Sequence, residues 1–136
     1  MENLKPIVLI DDDIDYIDLM VEAYGTLPYR NKLLIFHDSI RAYEHLVENS
    51  IAPFLVISDI IMPKMNGFEL RENIQANPKF SGHMVPFVFL TGAAELPHSS
   101  NKSLAENGFF EKKSDFQDLR KTLDEIINYH YNMVEV

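Results

Sequence analysis

Five short apolar runs punctuate the chain at strand length: IVLI from Ile7, KLLIF from Lys32, FLVIS from Phe54, VPFVFLTG from Val85 and GFFE from Gly108. The segments between them carry helical spacing instead. Ile14, Ile17, Met20, Val21 and Tyr24 form one apolar stripe that stops at Gly25. Asp38 or Ser39 caps a helix with Tyr43, Leu46 and Val47 on one side. The turn MPKMNG leads into a helix with Leu70 and Ile74, closed by Asn77-Pro78. A weaker pattern follows, in which Pro97 and HSSNK predict a late helix start and Asn107-Gly108 an end. Ser114 and Gln117 form a capping box for a last helix striped by Phe116, Leu119, Leu123, Ile126 and Ile127. Strands without polar alternation are buried on both faces, so the pattern predicts an α/β fold: a doubly wound, five-stranded parallel sheet between helical layers.

Length and charge narrow the function. A chain of 136 residues with 46% apolar residues can enclose one hydrophobic core, so a single domain over 1–136 is expected. The absence of cysteine removes disulfides, zinc thiolates and cysteine nucleophiles. A formal net charge of −9 argues against nucleic acid or an anionic membrane as direct partner, because both need a basic footprint. The start MENLKPIV lacks a basic region followed by an apolar stretch, and no apolar run is long enough to span a bilayer. A cytoplasmic location and a protein partner are expected.

The polar residues that carry chemistry stand at the strand ends. Asp11 and Asp12 follow the first strand, Asp59 the third, Thr91 ends the fourth and Lys112 follows the fifth. In an open sheet, ligands bind outside the carboxyl ends of the strands. With strand order 2-1-3-4-5, a common order for such sheets, these five residues meet at one edge. Several aspartates together repel unless a cation joins them, and carboxylates suit Mg²⁺, which also takes phosphate oxygens. Lys112 and Thr91 add donors for a phosphoryl group, making an aspartate the expected nucleophile. Taken singly, each feature has an ordinary reading: an acidic helix start, a strand-end hydroxyl, a surface lysine. Asp11, Asp13, Asp15 and Glu22 also mimic a calcium loop, but Tyr16 occupies its glycine position and a strand, not a helix, precedes it. Asp11 and Asp13 further match the first motif of aspartate-nucleophile phosphohydrolases, with VFLT resembling the second. That alternative lacks its later acidic motif and leaves Asp59 and MPKMNG unexplained. Met62 and Met65 read as packing or partner surface, and the five histidines show no metal-binding spacing.

The stretches IVLIDDD, LVISDIIMPKMNGFEL, VPFVFLTG and GFFEKK resemble, in order and spacing, the receiver domain of two-component response regulators across essentially the whole chain. The resemblance implies a flavodoxin-like (βα)5 fold of order 2-1-3-4-5 and a phosphoacceptor domain that is a signalling element, not a conventional enzyme. Asp59 would accept the phosphoryl group. Asp11, Asp12, Asp59 and the backbone carbonyl of Ile61 would hold Mg²⁺. Thr91 and Lys112 would bind phosphoryl oxygens, and Thr91 with Phe109 would form the switch. The donor would be a histidine kinase or a histidine phosphotransfer protein, and with no output domain expected, the signal would pass to a separate protein target. A receiver-shaped interaction module that is never phosphorylated is the remaining alternative. Two positions depart from the family pattern. Lys113 replaces a proline usually preceded by a cis peptide; because cis costs about 0.5–1 kcal/mol before proline and about 2.5–4 elsewhere, a trans Lys112-Lys113 bond is favoured. Gly92 replaces a small residue such as alanine and loosens the backbone beside Thr91. Ile61 and Ala93 stand two residues beyond Asp59 and Thr91, where polar side chains could orient a hydrolytic water; neither can do so.

Overall fold

A computed structural model describes residues 4–82, 84–92 and 108–134. Its elements run β1 (Ile7–Ile10), α1 (Ile14–Gly25), β2 (Leu33–Phe36), α2 (Ser39–Glu48), β3 (Leu55–Ser58), α3 (Gly67–Ala76), β4 (Phe87–Thr91), β5 (Phe109–Glu111) and α4 (Phe116–Val134), with a 3-10 turn at Pro78–Phe80. All strand pairs are parallel and the order is β2-β1-β3-β4-β5. The five strands fall on the five apolar runs. The helix expected between Pro97 and Asn107 lies outside the described residues, as does Ala93.

Side-chain alternation along each strand divides the apolar residues between two layers. Ile7 and Leu9 of β1, Leu55 and Ile57 of β3, and Val88 and Leu90 of β4 face one cluster. There they meet Ile17, Met20, Ala23 and Tyr24 of α1 and Leu119, Leu123, Ile126 and Ile127 of α4. Val8, Ile10 and Val56 face the other way, against Ala42 and Leu46 of α2 and Leu70 and Ile74 of α3. Burial on both faces is complete only in the interior strands β1 and β3. In β2 every residue stays partly accessible because an edge strand has a neighbour on one side only, and Ile35 is 39% exposed. Ile14, expected in the α1 stripe, is 58% exposed in the first turn, ahead of the packed stretch.

Local polar chemistry sets the helix starts. Asp38, not Ser39, caps α2 by accepting from the Arg41 amide at 2.8 Å, while the Ser39 hydroxyl donates to the Met65 carbonyl. The Ser114–Gln117 box gives way to Asp115, whose carboxylate accepts from the Asp118 amide at 3.1 Å; a carboxylate at this position also opposes the positive end of the helix. Asn66 and Glu69 form a reciprocal capping box at the start of α3. At the other end of the sheet, buried Asn31 donates to the Lys5 carbonyl at 2.7 Å and accepts from Tyr131, while its carbonyl accepts from Tyr24 at 2.7 Å. These bonds tie α1, α4 and the start of β1 together without leaving a buried polar group unpaired.

The turn after β3 closes against the sheet through Gly67. Its amide donates to the Ile60 carbonyl at 2.8 Å, and a Cβ there would lie 2.5 Å from the Asp59 carbonyl and 2.9 Å from the Phe89 ring. Only a residue without a side chain permits this approach. Gly67→Ala is therefore expected to destabilise the fold by about 1–3 kcal/mol, the usual cost of overpacking, seen as a lower urea midpoint with an unchanged slope.

Candidate functional site

Two backbone bonds carry the sheet past the strand ends. The Asp59 amide donates to the Ile10 carbonyl at 3.0 Å, joining the exits of β3 and β1, and the Lys112 amide donates to the Thr91 carbonyl at 2.7 Å, joining those of β5 and β4. The exits of β1 and β3, and those of β4 and β5, are thus brought level pairwise.

Asp11 is 1% exposed, and each of its oxygens is engaged. Oδ1 accepts from the Asp13 amide at 2.9 Å, and Oδ2 meets the Lys112 ammonium at 2.6 Å. Asp59 is half-buried; its Oδ1 accepts from the Ile60 amide at 2.8 Å and its Oδ2 lies 3.2 Å from the same ammonium. Asp12 is exposed, and the carboxylates of Asp11, Asp12 and Asp59 each place an oxygen within 4.8 Å of the others. Three carboxylates against one ammonium leave a formal deficit of two positive charges. That deficit and an all-oxygen donor set fit a hard divalent cation, so these aspartates can hold a metal ion.

Burial pushes the Asp11 carboxyl above the usual carboxylate range, outweighing the pull of Lys112 and the Asp13 amide. Burial also acts to lower Lys112, but the hydrogen bond and charge of Asp11, with those of Asp59, overcome it and hold the ammonium above its ordinary value. The lysine stays charged. Tyr16 of α1 covers it: the ammonium lies 4.8 Å from the ring centroid, and the hydroxyl donates to the Lys113 carbonyl at 2.9 Å. Burial, followed by the Asp11 charge, raises the phenol far enough that it remains a donor.

The other expected residues have different surroundings. Thr91 is 1% exposed at the end of β4. Strand alternation puts its side chain on the face of Phe89, which is in register with Phe109 of β5. Phe109 lies 5.5 Å from the Phe89 ring and 6.0 Å from Phe68, so it is an element of an aromatic cluster and not of the acidic group. Ile61 stands in the turn beyond Asp59 with 60% of its surface exposed. The Lys112-Lys113 peptide is trans. Asp13 belongs to the helix, because its carboxylate caps α1 by accepting from the Tyr16 amide at 3.2 Å. This leaves the phosphohydrolase reading without its second aspartate. It also places Asp15 and Glu22 within α1, where they cannot form a calcium loop.

Two participants had no mark in the strand-end pattern. Tyr16 reaches Lys112 from a helix far away in the chain, and Arg71 lies over the rings of Phe68 at 5.6 Å and Phe89 at 5.1 Å. Phe68 and Arg71 are three residues apart on α3, a spacing that could have suggested their pairing.

Residues 7–124 match the response regulator receiver domain. Among curated relatives, the chain is 27% identical over 135 residues to the response regulator Rcp1 of Synechocystis sp., covering 92% of this chain and 88% of the relative. It is 33% identical over 94 residues to the response regulator receiver protein CpdR of Brucella abortus, covering 68% of this chain and 71% of that protein. Among solved structures, the Mn²⁺-bound form of Rcp1 superposes with a TM-score of 0.67 at 27% identity, over 90% of this chain and 91% of that one. The phosphorylated cyanobacterial phytochrome response regulator RcpA shares the fold with a TM-score of 0.70 at 20% identity, over 96% of both chains. The fold, the acidic group at the strand ends and these matches lead to one conclusion: the chain belongs to the response regulator receiver family.

Proposed function

We propose that this receiver accepts a phosphoryl group on Asp59 from a histidine kinase or histidine phosphotransfer protein, with Mg²⁺ held by Asp11, Asp12, Asp59 and the Ile61 carbonyl. The observation that supports this most is the Lys112 ammonium shared between buried Asp11 and half-buried Asp59. An Asp59 oxygen attacks phosphorus in line, forming a P–O bond as the P–N bond to the donor imidazole breaks and its electron pair stays on nitrogen. Lys112 already lies 3.2 Å from Asp59, so a small shift moves it onto an oxygen of the arriving group. Bound Mg²⁺ supplies the remaining positive charge. The Thr91 hydroxyl then turns toward the phosphoryl group, and Phe109 repacks within its cluster with Phe68 and Phe89. Phosphorylation acts by favouring one of two packings, read by a downstream protein in the cytoplasm.

Acetyl phosphate with Mg²⁺ should label the protein at Asp59. Asp59→Asn should abolish labelling while far-ultraviolet circular dichroism stays unchanged; an unlabelled wild type would instead indicate a phosphorylation-independent interaction module. Metal and phosphoryl roles separate in a Mg²⁺ titration without phosphate. Asp12→Ala should weaken binding by about tenfold or more, equivalent to roughly 1.4 kcal/mol, whereas Lys112→Ala should not weaken it, since an ammonium beside the site repels a cation. Hydrolysis provides a third measurement. Replacing exposed, apolar Ile61 by asparagine should speed phosphate release by up to about tenfold, the worth of one hydrogen bond orienting water.

A further inference from the structure

Lys112 sits in the segment that links β5 to α4, and its aliphatic stem alone cannot fix where the ammonium points. Tyr16 touches that segment twice. Its ring lies 4.8 Å from the Lys112 ammonium on one side, while Asp11 and Asp59 hold the ammonium at 2.6 and 3.2 Å. Its hydroxyl donates to the carbonyl of the next residue, Lys113, at 2.9 Å. The tyrosine is itself anchored, because its amide donates to the cap carboxylate of Asp13, and the Asp13 amide donates to Asp11. A continuous path therefore runs from Asp11 through the start of α1 to the backbone beyond Lys112. Lys113 points its own ammonium elsewhere, 3.3 Å from Glu111.

We propose that Tyr16 is a positioning residue for Lys112: its ring restrains the ammonium over the aspartates, and its hydroxyl pins the Lys113 backbone so that Lys112 meets the phosphoryl group. The inference rests on the proposed phosphoacceptor function, but its geometry has a readout of its own. An aromatic ring this close shifts the Lys112 ε-methylene proton signals upfield through its ring current. Tyr16→Leu removes both contacts, whereas Tyr16→Phe keeps the ring and loses only the hydroxyl.

The experiment combines side-chain NMR with labelling by acetyl phosphate at saturating Mg²⁺, and urea titrations confirm that each variant is folded under assay conditions. In Tyr16→Leu the upfield shift is lost and the labelling rate falls about three- to tenfold, the range a partly desolvated cation–π contact represents. In Tyr16→Phe the shift is retained and the rate returns to within about threefold of wild type. On a Lys112→Ala background, Tyr16→Leu lowers the residual rate less than twofold, since no ammonium remains to be positioned. A Lys112 signal unmoved by Tyr16→Leu would overturn the proposal whatever the labelling result. An equal rate loss with and without Lys112 would also overturn it, assigning Tyr16 to packing alone. An unlabelled wild type with the ring-current shift present would count against the phosphoacceptor function and leave the positioning contact standing.

Discussion

Burying a carboxylate with almost no access to water is expensive unless an opposite charge and hydrogen bonds replace the lost solvent. Asp11 meets that condition through Lys112 and the Asp13 amide, and the rest of the strand-end geometry follows from it. Lys112 can reach Asp11 only if β5 ends level with β1 across two intervening strands, which requires the parallel register carried by β3 and β4. Asp59 shares the ammonium because β3 is the direct neighbour of β1. Two carboxylates and a third nearby overload one ammonium, and the imbalance makes the group receptive to a divalent cation.

Around that charge pair the fold supplies rigidity at the level of single atoms. The turn beyond Asp59 lies against the sheet because Gly67 has no side chain, and the Asn66–Glu69 box starts α3 immediately afterwards. The same helix carries Phe68 and Arg71 over Phe89, placing an aromatic cluster beside the exit of β4. Phe109 belongs to this cluster through Phe89, its register partner in β4, and Thr91 follows on the same face of that strand. Close-packed interiors have discrete alternative packings and not a continuum, which is what a two-state switch needs.

Much of this was legible beforehand because a parallel sheet writes itself plainly into sequence. The apolar runs marked all five strands, and the residues following them included Asp11, Asp12, Asp59 and Lys112. Less legible were the helix starts. Asp38 and Asp115 hold the amides at their helix starts in place of their serine neighbours, and the Ser39 hydroxyl is committed instead to the Met65 carbonyl, a contact that residue type alone does not give. Ile14 fitted the apolar spacing of α1 and yet lies exposed, since spacing describes a face without saying where its contact with the sheet begins.

By itself the sequence determined the alternation of strand and helix, the division of each strand between two apolar layers and the set of polar residues at the strand ends. These are local properties: side-chain period, backbone preference and chain order decide them. The tertiary structure decided which oxygens Lys112 meets and that Tyr16 covers the lysine from a helix at the other end of the chain. Those contacts depend on distances between segments remote in sequence, and only the closed register of the sheet sets such distances.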